Sequence, residues 1–165
     1  TDNYSPEFAY MGLGVIADID TDHKRAQAFY KKALSIKPNS VKTLTNVGYS
    51  FYMEGDYRKA QRFTLEALDK DPTNDKALNN LALIYLGKGE ITRAINVFSQ
   101  HMGKPEALNN VGYFLILQGK PDKAIPYLQQ AIDTKTSYYK VANENLERAL
   151  AMVREEKTKT AAVAE

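Results

Sequence analysis

The residues that could do chemistry crowd near the start of the chain. The run GLGVIADIDTDHK (12–24) sets Asp18, Asp20 and Asp22 at alternate positions with His23 directly after them. Carboxylates spaced this way open a calcium loop, which needs Gly at its sixth position and Glu at its twelfth. His23 and Phe29 stand there instead, so the segment reads as a turn with Asp22 capping the next helix. GLG imitates the start of a dinucleotide site, yet the third Gly, the preceding strand and a suitably distant acid are missing. Gly14 reads instead as a helix-packing residue. The two histidines, His23 and His101, have no evident set of converging ligands and read as solvated or packed side chains. The chain has no Cys, which excludes disulfides, thiolate metal sites and a Cys nucleophile. No Ser–His–Asp grouping or phosphate loop is visible. The expectation is a non-enzymatic protein: no catalytic residues, no metal and no cofactor.

Composition narrows the class further. The 165 residues are 44% hydrophobic and 25% charged, enough for a sizeable buried core. The 22 basic and 20 acidic residues are scattered, leaving a formal charge of +2. No basic stripe of the kind that tracks a phosphate backbone is seen, so no nucleic-acid partner is expected. No apolar run of 18 or more is present, so no segment is expected to span a membrane. The chain begins with Thr rather than Met, which suggests a trimmed or mature form whose targeting segment lies outside it.

The elements that hold these residues follow from self-similarity. Gly14 and Gly48 lie 34 apart, as do Ala26, Ala60 and Ala94, Pro38 and Pro72, and Gly55 and Gly89. In each period a first helix carries apolar residues at helical spacing, such as Leu44, Val47 and Phe51 or Leu78, Leu81 and Tyr85. A Gly (Gly55, Gly89, Gly119) then ends it in the left-handed conformation. A second helix carries Ala where the pair crosses closely, and Pro38 or Pro72 follows it. Such a unit cannot bury its apolar faces alone, so the units must stack.

This pattern resembles the tetratricopeptide repeat (TPR). The implied fold is all-α: a right-handed α-solenoid of about four helix-turn-helix repeats plus a C-terminal capping helix. The repeats fall at 7–40, 41–74, 75–104 and 105–138, within a single domain spanning 1–156. KALNNLALIYLGKG and EALNNVGYFLILQG recur at 30 rather than 34 residues. The four missing residues fall between Ala94 and Leu108, about one helical turn, predicting a short second helix ending near 102–103. Thr64 and Ala17 stand where the repeat usually has larger apolar residues. Pro126 is expected to kink its helix, the capping helix to cover about 137–156, and 157–165 to be a frayed or disordered tail.

In the TPR family, ligands lie in the concave groove lined by first helices. Carried onto this chain, the partner-binding residues are Lys42, Asn46, Tyr49, Tyr52 and Met53 from the second repeat. Lys76, Asn80, Leu83 and Leu86 follow from the third, and Asn110, Tyr113, Ile116 and Leu117 from the fourth. The Asn row has two readings, structural bonding to a neighbouring helix or a grip on a ligand backbone. The two-carboxylate clamp of chaperone-binding members is matched only by Asn46 and Lys76, too few groups for charge-assisted capture. The apolar remainder suits an amphipathic helix or apolar peptide; coverage by the chain's own segments or homodimerisation is the competing reading.

A narrower resemblance rests on NVGYSFYMEGDYRKA, KALNNLALIYLGKGE, HMGKPEALNNVGYFLILQGKPDKAIPYLQQAI and YYKVANENLERAL. Together with the short third repeat, these segments resemble the TadD-type TPR lipoproteins of Tad (Flp pilus) secretion systems. That resemblance implies a periplasmic-side, outer-membrane lipoprotein acting as a pilotin-like factor for a secretin or other pilus-assembly component. Its membrane contact would be a lipid anchor that this chain does not carry. The alternatives are a cytoplasmic TPR chaperone for a secreted protein and a regulatory repeat domain of a larger enzyme.

Overall fold

A computed structural model describes residues 5–165; residues 1–4, part of the expected 1–156 domain, lie outside the described residues. Among these the chain forms nine helices and no strand, so the fold is all-α. Contacts divide the chain into two compact units, Thr1–Lys88 and Gly89–Glu165, where the repeat pattern alone suggested one domain.

The first unit holds α1 (Pro6–Ile19), α2 (His23–Ile36), α3 (Val41–Glu54), α4 (Tyr57–Lys70) and α5 (Asp75–Gly87). Their starts are written in side chains. Ser5, Asp22, Ser40, Asp56 and Asn74 each accept a hydrogen bond from a backbone N–H in the first turn of the helix that follows, satisfying an otherwise orphaned donor. Asp22 is thus the cap expected of it. Small residues at the crossings let backbones approach. Ala26, Ala33, Ala60 and Ala67 are wholly buried. A Cβ added at Gly48 would sit 3.2 Å from the Ala60 carbonyl oxygen and 2.3 Å from Thr64 Oγ1. Gly14 fits equally closely against the Tyr30 ring, the packing role assigned to it.

The second unit holds α6 (Ile91–Phe98), α7 (Lys104–Leu117), α8 (Pro121–Thr134) and α9 (Lys140–Ala164). The short second helix is present, at 8 residues against 14 in α2 and α4. It ends at Phe98, however, not near 102–103. Phe98 is fully buried and stacks on Phe114 of α7 at 6.0 Å between centroids. With Pro105 in its first turn, α7 has Gly103 as an extended cap, so the chain must leave the α6 direction before that point. Leu128 packs so tightly on Gly112 that an added Cβ would lie 2.4 Å from it. Pro126 lies inside α8 without ending it.

The C-terminal helix also departs from expectation. It begins at Lys140 and runs through Ala164, past the expected capping-helix end at 156 and into the segment expected to be a tail. The segment EEKTKTAAVA contains no Gly or Pro to stop it, and Ala, Glu and Lys are good helix formers. Thr158 and Thr160 hydroxyls donate to the carbonyls four residues back, at 3.0 and 2.9 Å.

Candidate functional site

Within the first unit, the first helices α1, α3 and α5 line a cavity of about 750 Å³. It gathers six of the groove residues read from the sequence: Lys42, Asn46, Tyr49, Met53, Lys76 and Asn80. Met11, Val15, Asp18 and His23 join them. The middle is apolar, with Tyr49 40% and Met53 51% exposed. Lys42 and Lys76 stand near the starts of α3 and α5, where the helix dipoles add positive potential. Lys42 Nζ also lies 5.8 Å from the centre of the Phe8 ring. Asp18 and His23 stand some ten residues further along the repeat, about 15 Å away along a helix. The cavity is therefore cationic at one end, apolar in the middle and acidic at the other.

The acidic end is a clasp. Asp18 Oδ1 accepts from Ser50 Oγ at 2.7 Å and lies 2.8 Å from His23 Nδ1, while Oδ2 accepts from the Tyr30 hydroxyl at 2.8 Å. One carboxylate of α1 thereby holds α2 and α3. Tyr30 is only 1% exposed; its phenol is pushed far above its ordinary range by burial, then by the Asp18 hydrogen bond and charge. It remains a neutral donor. Ser50 donates to the carboxylate rather than to His23, so the three residues are not ordered as a Ser–His–Asp relay. Beside the clasp, Lys24 at 3.0 Å and Gln27 at 2.7 Å donate to Glu54 and hold its carboxyl below the usual range. The sequence did carry one sign of this arrangement. Asp18 occupies the repeat position filled elsewhere by Tyr52, Leu86 and Ile116.

Four of the expected groove residues behave differently. Leu86 is 0% and Ile116 2% exposed, so both belong to the core rather than to an open surface. Each completes a stripe of spacing four, Leu78–Ala82–Leu86 and Leu108–Gly112–Ile116, and side chains so spaced share one helix face. Tyr52 is half-buried between Tyr49 and Tyr57, with both ring centroids at 5.9 Å. Leu83 is half-buried on α5 and does not line the cavity.

The Asn row divides its labour. Asn80 is buried and donates to the Thr45 carbonyl of α3 at 3.4 Å, the structural reading. Asn46 is 9% exposed and lines the cavity. In the second unit, half-buried Asn110 donates to Met102 Sδ at 3.4 Å. Tyr113 and Leu117 remain 37% and 53% exposed on α7. Asn109 beside them accepts from Asn145 of α9 at 3.0 Å, so the C-terminal helix does lie against α7. The same unit is tied by the Glu106–Lys135 ion pair, which lowers the carboxyl's pKa and raises the ammonium's.

Paired helices with small residues at the α1–α2, α3–α4 and α7–α8 crossings and a left-handed turn closing each first helix define a helical-repeat protein. Tetratricopeptide repeat models match residues 63–96 and, separately, 9–40 and 105–138, and the chain belongs to that family. Members of this family are protein-interaction modules, and the chain is such an adaptor. A search of curated proteins finds no match. Among solved structures, MamA is similar at 22% identity and a TM-score of 0.59, covering 95% of this chain and 94% of that one. Pseudomonas aeruginosa pilF is similar at 22% identity and a TM-score of 0.59, covering 91% and 70%. The Cut9–Hcn1 assembly of the APC/C is similar at 16% identity and a TM-score of 0.61, covering 87% of this chain and 30% of that one. At these identities the likeness concerns the fold.

Proposed function

We propose that the chain is an adaptor of Tad/Flp pilus biogenesis, a pilotin-like factor that assists a secretin to localise or assemble. It would work on the periplasmic side of the outer membrane, held there by a lipid anchor outside this chain. The observation that carries the binding mode is the first-unit cavity, apolar at Met11, Val15, Tyr49 and Met53 and cationic at Lys42 and Lys76. An amphipathic segment of the partner would place its apolar face over Tyr49 and Met53 and an acidic or C-terminal group toward the lysines. The pilus assignment is supported by the four segments that resemble TadD-type proteins and by the short third repeat, whose second helix has 8 residues.

The test is co-purification from cell envelopes of the source organism, comparing the wild type with Tyr49→Ala/Met53→Ala. Both side chains are substantially exposed, so their removal should leave the fold intact. Recovery of a secretin with the wild type and its loss with the double variant is expected. Equal recovery with both would refute the groove reading, and recovery of no pilus component would refute the pilus assignment.

A further inference from the structure

The scattered charges of the sequence are sorted by the fold. In the first unit, α2 carries Lys24, Arg25, Lys31 and Lys32 with no acid, and α4 carries Arg58, Lys59, Arg62 and Lys70 against Glu66 and Asp69. The first helices α1, α3 and α5 carry Lys42 and Lys76 against Glu7, Asp18, Glu54 and Asp75. Apart from His23 and Tyr30 of α2, which line the groove cavity, the second helices therefore present a cationic face.

Between α2 and α4 that face opens into a cleft of about 400 Å³. Its floor is almost wholly apolar, made by Leu34 and Phe63 with Val47 and Phe51 of α3 beneath. Lys31 and Arg62 stand on its two rims. The rim guanidinium of Arg62 lies against a ring, 4.8 Å from the Phe63 centroid; beside the cleft, Lys59 lies 5.5 Å from the Phe51 centroid and 4.0 Å from Asp56 Oδ2. Phe51 and Phe63 are themselves stacked at 5.5 Å. A guanidinium on an aromatic face keeps its N–H edge free for a carboxylate and loses little entropy on binding one.

We propose that this cleft is a second docking site, for an acidic peptide segment that inserts one apolar side chain between flanking carboxylates. The position of the apolar surface decides the class of partner. A bilayer is engaged by apolar groups that protrude beyond the cations. Here the apolar groups are recessed below them. A nucleic-acid backbone would use the cations and leave the floor empty. An acidic segment with an apolar anchor satisfies rim and floor together.

The experiment is fluorescence anisotropy with the full chain and a labelled peptide of alternating Glu and Ser carrying one central Phe. Expected results are binding at low salt that weakens as salt screens the contact, and loss of affinity when the peptide's Phe becomes Ser. Lys31→Glu/Arg62→Glu should weaken binding about tenfold or more by placing like charges against the peptide. Lys31→Gln/Arg62→Gln should give an intermediate loss, with unfolding midpoints showing both proteins folded. Lys42→Glu/Lys76→Glu removes capture of the same peptide by the groove, and the loss caused by Lys31→Glu/Arg62→Glu should persist in that background, which separates this site from the proposed secretin site. Absence of binding, or equal binding of the Phe-less peptide, overturns the proposal. So does tighter binding of phosphatidylglycerol vesicles or an oligothymidylate that is abolished by Lys31→Glu/Arg62→Glu.

Discussion

Replacing Thr21 by Gly should stabilise the protein. Three repeats close their first helix with Gly55, Gly89 and Gly119, at φ of +88°, +80° and +75°. The first repeat does so with Thr21, at φ +61°, the only non-Gly residue with positive φ among the described residues. The hydrogen bonds are the same in either case. Thr21 N–H donates to Asp18 O and Asp22 N–H to Ala17 O, both at 2.9 Å; Gly55 N–H donates to Tyr52 O at 3.0 Å and Asp56 N–H to Phe51 O at 2.9 Å. With the motif held constant, the difference is the side chain. An L-residue in this region costs about 1–2 kcal/mol, and a β-branched one is a genuine outlier there. Gly returns about 0.5–1 kcal/mol of that through the entropy of its unfolded chain. Thr21 is exposed, so little packing is lost, and the net gain should be about 0.5–1 kcal/mol.

The reciprocal change is Gly55→Ala. No heavy atom lies within 4 Å of the added Cβ, so its effect is conformational alone, a loss of about 1 kcal/mol or slightly more. Urea unfolding of the full chain should raise the midpoint for Thr21→Gly and lower it for Gly55→Ala at unchanged slope. Hydrogen exchange should place the first effect in α1–α2 and the second in α3–α4. A neutral or destabilising Thr21→Gly, with Gly55→Ala destabilising as expected, would refute the strain argument at Thr21.

Tyr30→Phe should change how stability falls at alkaline pH. The folded phenol titrates above its unfolded value of about 10, so the folded state keeps a proton that the unfolded state releases, and stability drops as pH rises past 10. Between pH 10 and 11 the wild type should lose up to about 1.4 kcal/mol more than Tyr30→Phe, read as the difference between their urea midpoints. At neutral pH the variant should be less stable by about 1 kcal/mol, because Asp18 loses a buried donor. Thr64→Val should stabilise by about 1 kcal/mol in the same assay. Thr64 is 0% exposed, and its Oγ1 has no hydrogen-bond partner among the described residues, so the hydroxyl is desolvated without return.

The helix pairs were legible because their punctuation is local. Gly55 and Gly119 need a left-handed backbone, and Ala60 and Ala67 need a close neighbour; each need is met within one hairpin. What depended on contacts between hairpins was not legible. The 30-residue step located a missing turn, but the end of α6 at Phe98 depends on the Phe98–Phe114 stack. Leu86 and Ile116 were placed in the groove by their repeat position, while the spacing of four that ties them to Leu78–Ala82 and Leu108–Gly112 puts them in the core. The Asp18 clasp joins residues 5, 12 and 32 positions apart on three helices, and no single helical period links them.

Charge shows the same limit in the opposite direction. Read along the chain, 22 bases and 20 acids look mixed, and the absence of a basic stripe argued against a nucleic-acid partner. Within the first unit, the α1–α2 and α3–α4 hairpins separate much of what the sequence interleaves. In the first unit, bases collect on α2 and α4 while acids predominate on α1, α3 and α5. Stability alone does not demand this sorting, since exposed ion pairs contribute little wherever they form. Like charges gathered on one face raise self-repulsion, a modest burden unless an anionic partner relieves it. An adaptor with an apolar groove on one side and a cationic cleft on the other can hold two different segments at once. The distinct responses expected of Tyr49→Ala/Met53→Ala and Lys31→Glu/Arg62→Glu test that two-sided arrangement directly.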